Sequence, residues 1–168
     1  DRKYYRFILE KPENAPPAQG LDISSLETLV YLKQLEISAT WITDISPLRN
    51  LMSLVKLDLA YNQISDISAL ALLGKLTELD LSENKITDIS ALENLKQLRR
   101  LDLSYNEITD ISVLLQLPEL REVDIQGNPL YRGTVEWDPE TDEAVDTELA
   151  EAAVVEVLSE RGVTVRWF

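Results

Sequence analysis

Hydrophobic residues return along the chain at a constant interval of 22 positions. One row of leucines with this interval contains Leu32, Leu54, Leu76, Leu98 and Leu120. A second row contains Leu35, Leu57, Leu79, Leu101 and Val123, and a third contains Ile37, Leu59, Leu81, Leu103 and Ile125. Within each unit the Leu-x-Leu core alternates with period two, as a short strand with one buried face requires. The pattern therefore predicts about five stacked units, each with one strand, after a truncated unit at 21–26.

A polar position follows each predicted strand. It holds Thr40, Asn62, Asn84, Asn106 and Asn128. An asparagine amide can donate to and accept from backbone groups of neighbouring turns that would otherwise lack partners. We therefore expect Asn84 to be buried and fully hydrogen-bonded.

The second half of each unit begins with Asp-Ile-Ser. Ser46 followed by Pro47 is typical of a helix N-cap with proline at the first helical position. Ser68, Ser90 and Ser112 occupy the same place in later units. A short 3₁₀ or helical turn is expected to follow each of these serines on the convex side.

The consensus L-x-x-L-x-L-x-x-N-x-I-x-D-I-x-x-L resembles the leucine-rich repeat. Its 22-residue length and the residues at 41–48 and 84–90 resemble the internalin-like repeats of bacterial surface proteins. They resemble, less closely, the repeats of the eukaryotic phosphatase-1 regulatory subunit. The resemblance covers residues 20–130 and implies an α/β solenoid, a right-handed superhelix with short parallel strands on its concave face. It says little about the ligand, because the matching residues belong to the scaffold.

A solenoid exposes its core at both ends and needs caps. We expect residues 1–19 to form an N-terminal cap helix, within 1–11, followed by a linker; a membrane-surface helix is the alternative. Residues 131–168 are expected to form a C-terminal cap, with an acidic, solvated excursion, a helix at 146–161 and a strand at 163–167. The predicted buried stripe of that helix contains Leu149, Ala150, Ala153, Val154, Val157 and Leu158.

The composition narrows the possible partners and chemistry. A net charge of −14 argues against nucleic acid and anionic membranes, since both would repel the chain. Cysteine and histidine are absent, which removes thiolate zinc sites, disulfides and the commonest general base. No apolar run approaches the roughly 18 residues that span a membrane. We expect a monomer without cofactors, neither inserted in a membrane nor bound to nucleic acid.

Two rows of side chains on the predicted concave face are candidates for binding. The fifth position of each unit holds Glu36, Asp58, Asp80, Asp102 and Asp124, and the third holds Gln34, Lys56, Glu78, Arg100 and Glu122. The acids can be scaffold, with Lys56 and Arg100 neutralising neighbouring aspartates. A basic partner surface and a row of calcium ions are the alternatives, although the loops lack the spacing of dedicated calcium sites.

Aromatic residues lie beside these rows at positions that the core does not need. Trp41, Tyr61 and Tyr105 are of the types that dominate interface hot spots, although the tyrosines could instead cover the repeat edge. The predicted partner-binding residues are Trp41, Lys56, Asp58, Tyr61, Asp80, Glu83, Asp102 and Tyr105.

The pattern favours a protein-recognition module over an enzyme, because an open face gives no water-excluded pocket. An intracellular scaffold or phosphatase-regulator-like module and a carbohydrate-binding module are the alternatives. The chain starts at Asp1 without a visible signal peptide, so we expect an excised or mature segment. The internalin-like resemblance implies a bacterial protein that is secreted or at the cell surface, with a cytoplasmic location as the alternative.

Overall fold

The computed structural model stacks the repeats side by side along one parallel sheet. It describes residues 6–8, 20–130, 136–138, 143–145 and 149–167. The strands are β1 (Arg6–Ile8), β2 (Gln34–Glu36), β3 (Lys56–Asp58), β4 (Glu78–Asp80), β5 (Arg100–Asp102), β6 (Glu122–Asp124), β7 (Glu136–Asp138), β8 (Glu143–Val145) and β9 (Thr164–Arg166). Across these described residues, seven strands form the main sheet in the order β1-β2-β3-β4-β5-β6-β9. The predicted α/β solenoid is confirmed.

The register of the sheet follows the 22-residue interval without a slip. Leu57 pairs with Leu35 on one side and with Leu79 on the other, and every later rung keeps this offset up to Val123. The central residue of each of these strands is buried, whereas its two neighbours face the opposite side of the sheet. The hydrophobic core therefore fills the inside of the stack, and the outer side chains of every strand share one open face.

Short 3₁₀ turns occur in the return segment of each repeat, the part that leads from one strand to the next, as expected. They span Ser24–Thr28, Ser46–Leu48, Ser68–Leu72, Ser90–Asn94 and Ser112–Gln116. The predicted N-cap role of Ser46 is wrong, because the capping position is Ile45 and no side chain caps the turn. Instead the Asp44 carboxylate accepts a hydrogen bond from the Ser46 backbone N–H at 2.8 Å. An aspartate that bonds the backbone two residues later is a common way to open a turn.

The asparagine ladder is confirmed in detail. Asn84 is buried, and its Nδ2 donates to the carbonyl oxygens of Leu59, Leu81 and Ser82 at 3.0–3.1 Å. Its Oδ1 accepts from the Ile64 backbone N–H at 3.0 Å. Because Leu59 and Ile64 belong to the preceding repeat, each asparagine joins two repeats. Thr40 begins the ladder and donates its hydroxyl to Asn62 Oδ1 at 3.0 Å.

The N-terminal end differs from the prediction. Residues Arg6–Ile8 form a strand that pairs in parallel with β2, so the predicted cap helix is wrong for these residues. The rest of the predicted helix and its linker lie outside the described residues. The first repeat would otherwise present a row of unpaired backbone N–H and C=O groups, and an added strand satisfies them.

The C-terminal cap contains the expected helix and strand. The helix α1 spans Leu149–Glu160, and β9 pairs with β6, with Val165 opposite Val123. The helix buries Val154, Val155 and Leu158, while Ala153 and Val157 are exposed, so the predicted stripe is partly wrong. The expected solvated excursion contains an antiparallel pair of strands, β7 and β8.

Candidate partner-binding face

The open face of the sheet forms a shallow groove of about 490 Å³, lined by the outward side chains of β2 to β6 and by Arg166 of β9. Two parallel rows run along it. The first, here called the outer row, contains Gln34, Lys56, Glu78, Arg100, Glu122 and Thr164. The second, here called the acid row, contains Glu36, Asp58, Asp80, Asp102 and Asp124. Neighbours within a row are one strand spacing apart, about 4.8 Å.

The outer row neutralises itself through a chain of ion pairs. Lys56 Nζ lies 2.8 Å from Glu78 Oε2, and Arg100 lies 3.8 Å from both Glu78 and Glu122. The expectation that Lys56 and Arg100 neutralise the aspartates is therefore wrong, because the glutamates of their own row hold them. These side chains are 36–68 % exposed, so each pair adds little stability.

The centre of the acid row has no compensating cation among the described residues. Within the part of the chain that the structure describes, no Lys or Arg forms an ion pair with Asp58, Asp80 or Asp102. Burial raises the pKa of Asp58, and the nearby carboxylates of Asp80 and Glu36 raise it further, against a hydrogen bond from the Ala60 N–H. The centre of the groove therefore attracts positive charge.

The same aspartates also shape the backbone after each strand. Asp80 Oδ1 accepts from both the N–H and the hydroxyl of Ser82, at 2.9 and 2.7 Å, and Asp102 does the same with Ser104. One carboxylate oxygen of each of these acids is thus used by the fold. The scaffold interpretation and the binding interpretation of the row are compatible.

Arg166 closes the acid row at its C-terminal end. Its guanidinium lies 3.2 Å from Glu122 and 3.8 Å from Asp124. Burial raises the pKa of Asp124, as does the charge of Asp102, whereas a hydrogen bond from the Gln126 backbone N–H and the charge of Arg166 lower it. Sequence reasoning missed Arg166 as a groove residue. The signal was available, since Val163 and Val165 alternate with Thr164 and Arg166 as in the repeat strands.

A third row, here called the turn row, follows each strand at the edge of the groove. It contains Ala39, Tyr61, Glu83, Tyr105 and Gly127, all with positive φ between 53° and 69°. This left-handed conformation is natural for glycine and costs other residues free energy. Tyr61 and Tyr105 are nevertheless 62 % and 57 % exposed. The Tyr105 ring lies so close to Gly127 that a Cβ there would be 2.5 Å from it.

Trp41 lies apart from the turn row. It is 46 % exposed and also has a positive φ, but it occupies the repeat position of Gln63 and Lys85, two residues beyond Ala39. A side chain at Gly20 would clash with the Trp41 carbonyl oxygen, so the partial first repeat packs against this backbone.

The predicted binding residues therefore divide into two groups. Lys56, Asp58, Asp80 and Asp102 line the groove. Tyr61, Glu83 and Tyr105 form its edge in the turn row, and Trp41 lies beyond that edge. The lining also includes Glu78, Arg100, Glu122, Asp124 and Arg166, which were not in the predicted set.

No group of three or more acidic side chains among the described residues is arranged to hold a metal ion. None of the helices in that part of the chain has the length and apolar character needed to cross a membrane.

Family models match most of the repeat region. A leucine-rich-repeat model matches residues 75–130, and a two-copy leucine-rich-repeat model matches residues 32–72 and 53–94. Together they span residues 32–130, more than half of the chain. Among curated proteins, none has significant sequence similarity to it.

Solved structures with this fold include bacterial and plant proteins. An internalin, InlF, from Listeria monocytogenes is 39 % identical over 65 % of this chain, with a TM-score of 0.64. Internalin C2 from the same organism is 32 % identical over 88 % of this chain, with a TM-score of 0.67. The ectodomain of the receptor kinase SOBIR1 from Arabidopsis thaliana is 27 % identical over 64 % of this chain, with a TM-score of 0.57, and 62 % of that ectodomain is covered. The present chain spans 32 % of the InlF structure and 56 % of the internalin C2 structure.

Proposed function

The chain belongs to the leucine-rich-repeat family as an internalin-like member, and we propose that it binds a protein partner through the open face of its sheet. Leucine-rich repeats are generally protein-interaction modules. The observation that supports this face is the run of Asp58, Asp80 and Asp102, which no described Lys or Arg pairs, beside two exposed tyrosines. The proposed partner presents Lys or Arg side chains next to an apolar patch.

Charge complementarity supports a basic partner. Asp58, Asp80 and Asp102 are consecutive rungs of one row, and the nearest cations in the groove are held by the outer row. A positively charged partner is attracted to this row along three rungs. The cations of the groove do not compete for these three aspartates, because they pair with other acids. Such complementarity acts mainly on association rate and specificity.

The turn row supports an aromatic contribution. Tyr61 and Tyr105 are large and exposed, and both have the left-handed backbone conformation that Gly127 has at the same position of the last repeat. Unfavourable backbone geometry that persists on an exposed bulky residue is a reason to infer function there. Tyrosines in an interface supply contact area at low entropic cost and often dominate its energy.

The wider setting is part of the same proposal. The chain acts as a monomeric, non-enzymatic domain of a bacterial protein that is secreted or held at the cell surface. The groove is open along its length, so it gives reacting groups no enclosed site. The Listeria internalins, which share 39 % and 32 % identity, support the bacterial assignment.

The test starts with capture of binding proteins by the immobilised chain, followed by affinity measurements on single variants. Tyr61→Ala and Asp80→Asn are expected to weaken binding, the tyrosine by at least about 2 kcal/mol and the aspartate by less. Val157→Ala and Glu93→Gln are the controls for the apolar and the acidic substitution, because both residues are exposed and lie away from the groove. If the controls weaken binding and the groove variants do not, the proposed face is wrong. Binding of glycans by an array, lost in Tyr61→Ala, would instead support the carbohydrate alternative.

A further inference from the structure

Four apolar side chains are exposed on a surface that the proposed function does not use. Val30, Tyr31, Met52 and Leu72, here called the flank patch, lie at or just after the end of the 3₁₀ turn in three consecutive repeats. Tyr31 is 77 % exposed, Leu72 56 %, Met52 51 % and Val30 39 %. Contiguous exposed apolar residues on a soluble protein commonly mark an interaction site.

The fold itself does not require apolar residues at these positions. One repeat further along, the position of Leu72 holds Asn94, and the row of Val30 and Met52 continues through Gly74 to Lys96. The row of Tyr31 continues through Ser53 and Lys75 to Gln97. All repeats share one register, so the later repeats show that polar residues satisfy the same backbone. At these positions the apolar residues occur in the first three repeats, one or two in each.

The charge around the flank patch is opposite in sign to that of the whole chain. Arg49 and Lys75 are exposed beside it, and neither forms an ion pair with another described residue. Lys33 adds a third cation, whereas the segments 27–33, 49–55 and 71–77 contain a single acid, Glu27. The chain as a whole has a net charge of −14. An apolar centre with basic neighbours is complementary to an amphipathic segment that carries acidic residues.

We propose that the flank patch is a second docking surface, and that it binds an acidic amphipathic helix of a partner protein. The patch crosses three rungs, about 10 Å at the strand spacing, which equals about two turns of a helix. Leucine-type side chains of the helix contact Tyr31, Met52 and Leu72, and its acidic residues contact Arg49 and Lys75. This surface is independent of the proposed concave face.

A protein segment suits the patch better than an anionic bilayer. The exposed aspartates Asp22, Asp44 and Asp66 open the same three return segments whose far ends form the patch. A flat anionic surface would also approach these carboxylates and be repelled. A narrow helix can contact the apolar and basic side chains alone.

The experiment titrates the isotope-labelled full chain with two synthetic helical peptides and follows backbone amide signals by NMR. Both peptides carry leucines along one face; the other positions are mostly Glu in one peptide and mostly Lys in the other. The Glu peptide is expected to shift amides in 28–33, 50–55 and 72–77. The Lys peptide is expected to shift the amide signals of the strands that line the groove instead. Shifts from the Glu peptide spread over the concave face, or none at all, would overturn the proposal while leaving the concave site untouched.

Variants that copy the fourth repeat test the contacts without disturbing the fold. Tyr31→Gln together with Leu72→Asn is expected to weaken binding of the Glu peptide about tenfold or more. Lys75→Gln is expected to lower the salt dependence of that binding. Lys96→Gln, at the row position of Met52 in the fourth repeat, is the control and should change nothing. If the double variant binds as well as the original chain, the patch is not the site. If phosphatidylserine vesicles bind the original chain but do not bind the double variant, the surface recognises membrane and the proposal fails.

Discussion

At the scale of single residues, polar side chains that bond to backbone hold each repeat to the next. Asn84 uses both ends of its amide on groups of its own and the preceding repeat. Its role was predictable from the sequence, because an amide is one of the few side chains that can both donate and accept at a buried turn. The serine caps were not predictable in the same way, because Asp and Ser can both open a turn and lie only two residues apart.

Replacing Asn84 with Ala is expected to lower the free energy of unfolding by about 1–3 kcal/mol, since the substitution leaves buried carbonyl and N–H groups without partners. Urea denaturation of the full chain measures the change. Asn94→Ala is the matched control, because Asn94 is exposed in the same repeat. Equal stability of the two variants would show that the ladder does not join the repeats.

The aspartates that open the 3₁₀ turns should make the fold sensitive to acid. A hydrogen bond from the Ser90 backbone N–H lowers the pKa of Asp88 below 3.8, and a hydrogen bond from the Ser90 side chain lowers it further, by a smaller amount. Ser68 has the same two effects on the pKa of Asp66. A lowered folded-state pKa stabilises the protein above the unfolded value, and this stabilisation is lost as pH falls through the folded value. Unfolding free energy should therefore fall below about pH 4. Asp66→Asn with Asp88→Asn should flatten that fall, because asparagine keeps the acceptor and does not titrate.

Asp58 should behave in the opposite sense. Burial and neighbouring acids raise its pKa above 3.8, so its charged form costs stability at neutral pH and the cost disappears as pH falls through the raised value. Asp58→Asn is expected to stabilise the chain at neutral pH, with a gain that vanishes in acid. Denaturation over the same pH series measures it. A loss of stability at neutral pH would mean that the Ala60 contact needs the charge.

At the scale of elements, the regular repeats were predictable and the ends were not. Strand position and register follow from the leucine spacing alone. The short apolar run at Arg6–Ile8 fits a helix or a strand equally well by periodicity, and the unpaired edge of β2 decides between them. The β7–β8 pair was missed because an acidic stretch carries no alternating apolar signal.

An arginine directly after the C-terminal helix adds hydrogen bonds to the last repeat. The Arg161 guanidinium donates to the carbonyl oxygens of Leu115 at 3.1 Å and Leu117 at 2.8 Å. Arg161→Ala is expected to lower the unfolding free energy by about 1 kcal/mol and to speed hydrogen exchange in α1. Arg121→Ala, which removes another exposed arginine near the same end, is the comparison. Unchanged exchange in α1 would mean that burial of Val154 and Leu158 alone holds the helix.

At the scale of the whole molecule, charge is distributed unevenly. The acid row and the turn-opening aspartates concentrate negative charge on the groove and the convex side, whereas Arg49 and Lys75 lie on the flank. The candidate site was predictable in part: its acidic residues follow from the strand pattern. The ion-pair partners of Lys56 and Arg100 were not predictable, because they depend on which of two adjacent rows a long side chain reaches.

Added salt should stabilise the chain. Screening weakens the self-repulsion of a net charge of −14, while the exposed ion pairs of the outer row contribute little that salt could remove. The midpoint of thermal unfolding is expected to rise between low and physiological ionic strength. Glu78→Gln should leave that rise unchanged. A midpoint that falls with salt would show that the ion-pair chain outweighs the repulsion.

The constant register has a consequence for how such a protein can change its length. The junctions at Asn84, Asn106 and Asn128 use the same set of donors and acceptors, so each of these junctions is interchangeable with the others. An in-frame duplication of one repeat's coding sequence therefore inserts a rung without altering either end. The new rung brings its own aspartate into the acid row. A lineage carrying this gene can thus lengthen its charged strip by unequal recombination, before any point mutation refines it.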